Sequence, residues 1–146
     1  MTIRNMISED YDQVYALWLS CRGMGLNNID DSKAGIETFL RRNPETCFVA
    51  SEKEQLIGVI LTGHDGRRGY IYHMAVSPEH RHMGVGRQLV AASLDSLKKQ
   101  GIIKACLVAY DRNQDGNAFW ESMGFAKRTD LVYRDLALAE MIRIDT

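Results

Sequence analysis

The chain has 146 residues, 45% of them hydrophobic and 25% charged, and its 18 basic and 19 acidic residues leave a formal net charge of -1. That size and composition fit a single globular domain, residues 1–146, with a core of its own. An even charge balance gives no footing for a nucleic-acid or anionic-membrane partner, and the longest apolar run, Leu56 to Leu61, is far too short to span a bilayer.

In chain order, Thr2 to Asn5 reads as a short strand. Ser8 is placed as a helix N-cap, followed by Glu9 and Asp10 in the first turn. Val14, Leu17, Trp18 and Cys21 recur at helical spacing, and Gly23 and Gly25 close that helix. A polar loop follows. Ile36, Phe39 and Leu40 mark a second helix that stops before Asn43-Pro44. Cys47 to Ala50 and Leu56 to Thr62 are strands around the turn SEKEQ, the second apolar on both faces as in a central strand. Asp65-Gly66 marks the next turn, and Tyr70 to Val76 the next strand. Gly84 to Gln100 is a helix ended by Gly101. Ile102 to Val108 is a strand, Asn117 to Met123 a short helix closed by Gly124, and two final strands are expected within Phe125 to Leu136. The order β-α-α-β-β-β-α-β-α-β-β predicts an α/β (α+β) fold. Its mixed central sheet has six to seven strands, with about four helices on both faces.

The N-terminus has no basic stretch followed by an apolar run, so no secretory leader is expected. Cys21, Cys47 and Cys106 are widely spaced and form no CxxC pair, which predicts reduced, mostly buried thiols and a cytoplasmic location. His64, His73, His80 and His82 lack metal-ligand spacing, so no metal is expected.

The chemistry concentrates in Val76 to Arg87, VSPEHRHMGVGR. A strand ends, Pro78 breaks it, and a helix opens at Gly84-Val85-Gly86. A helix start offers unpaired backbone N–H groups and the positive end of the macrodipole, which suits a phosphate. Glycines let an oxygen approach the backbone, and Arg81 and Arg87 add positive charge on either side. A helix entry with close packing is the structural alternative. Neither GxxxxGK[ST] nor GxGxxG is present, since Leu89 and Val90 stand where a third glycine would fall.

RHMGVG resembles the R/Q-x-x-G-x-G/A motif of the GNAT family of N-acetyltransferases. MAVSPEH is similar to that family's strand-and-turn, and the segment from Asn113 through AFWESMGF to its "N…A…Y-E-x-x-GF" helix. In element order the resemblance covers nearly the whole chain. It implies a GNAT-like sheet whose two middle strands splay apart, and acetyl-CoA as cosubstrate without a metal. Met74, Ala75 and Val76 would meet the pantetheine arm, and His82, Met83, Gly84, Val85, Gly86 and Arg87 would surround the pyrophosphate with Arg81 nearby. Asn113 would contact the pantetheine, and Trp120 would lie near the thioester.

Direct transfer needs a free amine, and α-amino and lysine groups titrate at about 8 and 10. The family's base commonly stands at positions occupied here by Tyr72 and Tyr70, which share a face by their even offset. Tyr72 reads equally as a water-linked proton relay and as a packed aromatic. His73 points to the other face by the same alternation and reads as a packed or capping histidine. The family's acid is often a tyrosine where this chain has Trp120, whose indole cannot serve as a general acid at neutral pH. That leaves Tyr110 or solvent. The resemblance places the acceptor pocket at the loop LNNIDD, with Asn28, Asp30 and Asp31 as candidates, although Asp31 or Ser32 also suits a helix cap. The turn bearing His64, Asp65, Arg67 and Arg68 either borders that end or is simply solvated. The expected function is transfer of acetyl from acetyl-CoA to an amine of a small molecule or protein. A non-catalytic acetyl-CoA sensor or interaction module is the alternative. Neither nucleic acid nor membrane is an expected partner, and a homodimer stays open.

Overall fold

The computed structural model describes residues 1–144. β1 (Thr2–Asn5) leads through a 3-10 turn (Ser8–Asp10) into α1 (Tyr11–Leu19) and then α2 (Lys33–Arg42). Next come β2 (Phe48–Glu52), β3 (Gln55–His64) and β4 (Gly69–Val76), followed by α3 (Val85–Lys99), β5 (Ala105–Leu107) and α4 (Gln114–Ser122). The sheet runs β1-β2-β3-β4-β5. Its first four strands are antiparallel, and β5 lies parallel to β4 through the α3 crossover. β3 is buried from Leu56 to Gly63, as its unbroken apolar run requires of a central strand. Its hairpin with β2 turns at Lys53 and Glu54, both with positive φ (51 and 65) and neither a glycine.

Two apolar layers sandwich this sheet. Val14, Leu17 and Trp18 of α1 pack with Ile36 and Leu40 of α2 on one face. Leu89 and Val90 of α3 pack with Ile57, Ile60 and Ile71 on the other. Each fully buried side chain of this kind is worth about 1.5–3 kcal/mol. α3 lies close to β3 at Gly58, where a Cβ would come within 2.9 Å of both Leu89 and Val85. A buried polar node ties the same helix down. Ser93 Oγ donates to the Thr46 carbonyl (2.9 Å), Thr62 Oγ1 meets Ser93 Oγ (3.1 Å), and Thr46 Oγ1 donates to the Thr62 carbonyl (2.5 Å). α4, in contrast, contributes no fully buried residue.

Four expectations are corrected. The sheet has five strands, not six to seven. After Phe125 no strand forms among the described residues, and Leu131, Val132 and Tyr133 stay 62, 75 and 66% exposed. β-propensity becomes a strand only where a partner edge is met. This segment instead makes one isolated bridge, Asn27 to Arg143, with Asn28 N–H donating to Ile142 O (3.0 Å) and Ile144 N–H to Leu26 O (3.0 Å). Ser8 does not cap the first helix. The Asp10 carboxylate accepts from the Ile7 N–H (2.9 Å) while pairing with both Arg4 Nη atoms at 2.8 Å. α1 ends at Leu19, before Gly23 and Gly25. At α2 the cap is Ser32, whose Oγ accepts from Gly35 N–H (3.0 Å).

Cys21 and Cys47 are buried, Cys106 is exposed, and none is bridged. Burial pushes the Cys47 thiol up to about 12. No described helix is long and apolar enough to cross a membrane.

Candidate active site

The site is organised by a break in β4. Ile60 faces Met74 across the ladder and Thr62 faces Ile71, so Tyr72 and His73 together stand against the single residue Leu61. That is a β-bulge, and it shifts the alternation by one residue. Tyr72 packs edge-on against Phe39 of α2 (5.6 Å), and His73 packs edge-on against Trp18 of α1 (5.2 Å). Both therefore face the α1/α2 layer, and the expectation of opposite faces is wrong. His73 is otherwise a packed histidine, as read. Its Nε2 lies 2.8 Å from Asp31 Oδ1, and its side chain is 14% exposed.

The same break frees an edge. β4 pairs with β5 only from Gly69 to Ile71, so from Tyr72 onward no described strand covers its β5 side. This edge opens onto a groove of about 680 Å³. Met74, Ala75 and Val76 form one wall, and Gly84 to Arg87 lie at the start of α3. Arg81, His82 and Asn113 also line it, so the chain brings together all the expected cofactor residues except Met83 and Trp120. Met83 is 68% exposed, and Trp120 turns away to pack between Phe119 and Phe125 (5.1 and 5.3 Å). Phe119, its neighbour, lines the groove instead. Cys21 and Ser122 also line the groove; no motif marks Cys21, and Ser122 falls at an unspecified position of the AFWESMGF segment.

The groove has the features a pyrophosphate-bearing ligand needs. Gly84 sits at the N-cap of α3 in the left-handed region (φ 82), and no side chain caps the helix. Its first intrahelical bond is Gln88 N–H to Gly84 O (3.1 Å), which leaves the preceding N–H groups open. A Cβ on Gly84 would meet nothing within 4 Å, so the space above it is open. Arg81 folds back on the end of β4, its Nε donating to Val76 O (3.3 Å). Arg87 reaches α4, its Nη2 donating to Ser122 Oγ (3.3 Å). Asn113 Oδ1 caps α4 by accepting from Gly116 N–H (3.0 Å). Among the described residues no group of three His, Cys, Asp or Glu side chains is arranged to hold a metal.

Tyr70 and Tyr72 pack with ring centroids 4.6 Å apart, tilted by 40°, and line a second cavity of about 390 Å³ with Phe39, Arg42 and Arg68. Burial, with the neighbouring Tyr133, pushes the Tyr70 phenol up to about 12. Burial, with Asp30 nearby, also raises Tyr72. Both are thus neutral hydroxyls at pH 7. Tyr110 stands apart from both cavities, its hydroxyl accepting from Arg143 Nη2 (2.6 Å) and its ring lying under Arg112 (4.3 Å).

The acceptor candidates separate by environment. Asp31 is buried and engaged by His73 and by the Asn27 N–H (2.8 Å). Asn28 Oδ1 accepts from Ile142 N–H (2.7 Å). Asp30 keeps an exposed carboxylate, touched by Asn27 Nδ2 (3.1 Å).

A released strand edge beside an uncapped, glycine-built helix start can pair with an extended amide chain and hold an attached phosphate. The acetyltransferase (GNAT) family matches residues 11–125, and the chain belongs to that family. It is 33% identical to an acetyltransferase of Photorhabdus laumondii over 113 residues, 77% of this chain and 78% of that one. Ard1 of Thermoplasma volcanium superposes with a TM-score of 0.77 at 25% identity, covering 86% of this chain and 82% of that one. The PaiA N-acetyltransferase of Thermoplasma acidophilum, solved with coenzyme A, superposes with a TM-score of 0.75 at 20% identity, covering 86% of this chain and 89% of that one. The chain is an acetyl-CoA-dependent N-acetyltransferase.

Proposed function

We propose that this chain acetylates a primary amine by direct attack, with the amine and acetyl-CoA bound together. The observation that carries this reading is the fork in β4. Its free edge begins at Tyr72, which lines the cavity of Tyr70, and Met74, two residues further along the same strand, lines the groove beside the start of α3. In this reading the open N–H groups of Val85, Gly86 and Arg87 take the pyrophosphate, and Met74 to Val76 pair with the pantetheine amides.

Bound acetyl-CoA supplies the activated acyl group. The amine lone pair forms the new C–N bond, the C–S bond breaks with its electrons on sulfur, and the surplus ammonium proton passes to water. A backbone N–H of the free edge near Met74 receives the charge that develops on the carbonyl oxygen. Tyr72 is neutral at pH 7, so its part is to pass a proton between the amine and water, not to remove one as a phenolate. Trp120 packs on the far side of Phe119 and supplies no acid, and Tyr110 is held by Arg143. The thiolate therefore takes its proton from solvent. Asp30 draws the ammonium form toward the mouth.

Turnover of acetyl-CoA across an amine panel, read as free thiol, tests this. Acetyl-CoA binding with no thiol release for any amine would leave a binding module in place of the enzyme.

A further inference from the structure

The cavity of Tyr70 and Tyr72 carries a feature that amine acetylation alone does not require. Arg42, in the last turn of α2, and Arg68, in the β3–β4 turn, both line it. Among the described residues neither guanidinium pairs with a carboxylate, and Arg68 Nη1 donates to its neighbour's carbonyl, Arg67 O (3.1 Å). Asn43 and His64, which also line the cavity, are already engaged. Asn43 Oδ1 accepts from His64 N–H (3.0 Å), and His64 Nε2 meets Gln100 Oε1 (2.7 Å). Asp65 Oδ1 accepts from the Arg67 and Arg68 N–H groups of its own turn (2.8 and 2.9 Å), and its carboxylate sets one negative charge against the two guanidiniums, which leaves the cavity net positive.

A purely cationic acceptor, such as a polyamine, would meet a net positive cavity here, two guanidiniums against the one carboxylate of Asp65. A carboxylate would meet two side chains of opposite charge, each able to bind it through a forked pair of N–H donors. The ammonium end has a separate place. Asp30 is the carboxylate whose field acts on Tyr72, and Tyr72 begins the free edge of β4.

We infer that the acceptor is a small amine bearing a carboxylate, an amino acid in the broad sense, with its carboxylate held by Arg42 and Arg68 and its amine presented at Tyr72. This rests on the acetyl-transfer reading above and narrows its substrate. A volume of about 390 Å³ suits such a molecule and is at the small end for binding cavities. Phe39 and the two tyrosines give its carbon skeleton an aromatic ledge.

The test compares matched pairs: glycine with glycinamide, β-alanine with β-alaninamide, and leucine with leucinamide. Putrescine and a short peptide amidated at its C-terminus are added as further arms. Rates are expressed per concentration of free-base amine, because the amide and acid forms titrate differently. The wild type is expected to favour the carboxylate member of at least one pair by about 10-fold or more in kcat/KM. The Arg42→Gln, Arg68→Gln double variant should lose that preference through KM while its calorimetric affinity for acetyl-CoA stays unchanged. Preference for amides, putrescine or the peptide would overturn the carboxylate assignment and keep the acetyltransferase. A carboxylate preference that survives in the double variant would overturn the role of the two arginines. If no amine in any arm releases thiol while acetyl-CoA binds, the transfer reading falls and this inference with it.

Discussion

Gly84→Glu tests the start of α3 most directly. Gly84 sits at φ 82, so any side chain there pays for a left-handed backbone, about 1–2 kcal/mol. A Cβ meets nothing within 4 Å, so no clash is added. The charge is what distinguishes glutamate. At roughly 6 Å and an effective dielectric of about 20, two unit charges repel by about 3 kcal/mol. That is about 100-fold in Kd. Gly84→Ala carries the same backbone strain without the charge, so the pair separates folding from electrostatics. Both variants should lose a similar amount of stability in urea titration. By calorimetry, Gly84→Ala should keep acetyl-CoA affinity within about 5-fold and Gly84→Glu should lose about 100-fold, the gap narrowing as salt screens the charge. A folded Gly84→Glu that binds acetyl-CoA like the wild type would refute the pyrophosphate assignment. Equal losses in both variants would show that strain, not charge, governs the site.

Three further outcomes follow from the packing. Tyr72→Phe should lower kcat by about 10-fold with Tm unchanged, as expected of an exposed proton relay, whereas His73→Gln should lower Tm by breaking the pair with Asp31; the reverse pattern would move the proton transfer to His73. Trp120→Ala should destabilise by about 3 kcal/mol through the cavity left beside Phe119 and Phe125, and Trp120→Phe should keep most of kcat; a collapse of kcat in Trp120→Phe at unchanged Tm would give the indole N–H a place in the reaction. Burial pushes the Asp10 carboxyl up, but Arg4 and the Ile7 N–H outweigh this and leave its pKa lowered. Its contribution is therefore present above about pH 4 and is lost as pH falls through the lowered value, so the stability gap between wild type and Asp10→Asn in urea titrations should shrink with acidification; a gap independent of pH would remove the charge from the account.

Much of the groove beside the start of α3 was legible because its signals are local. A strand end, Pro78 and the Gly84-Val85-Gly86 helix entry lie within a dozen residues, and each acts through backbone geometry that the sequence dictates. The facing of His73 was not legible. Alternation holds only while a ladder is continuous, and nothing in GYIYHMAV marks the extra residue opposite Leu61. The missing late strands have a related cause. Leu131, Val132 and Tyr133 carry strand propensity, but β5 pairs over three residues only, and whether an edge is there to be joined is decided elsewhere in the chain. Phe119 and Trp120 show a third limit, since adjacent helical residues point about 100° apart and the motif does not say which one faces the groove. Arg42 was hidden for a simpler reason: in sequence it is one of two basic residues ending a helix, where the macrodipole already accounts for it.

The polar node at Thr46, Thr62 and Ser93 has a mechanical consequence for the groove. Apolar contacts tolerate sliding, because one methyl group is much like the next. A hydroxyl bonded to a particular carbonyl does not, so α3 is pegged to the sheet near its middle and its open N-terminus inherits that fixed address. The opposite wall is α4, which has no fully buried residue and rests on the edges of its aromatic rings. The groove is thus built like a vice with one fixed jaw, and any widening that admits or releases a long ligand must come from the α4 side.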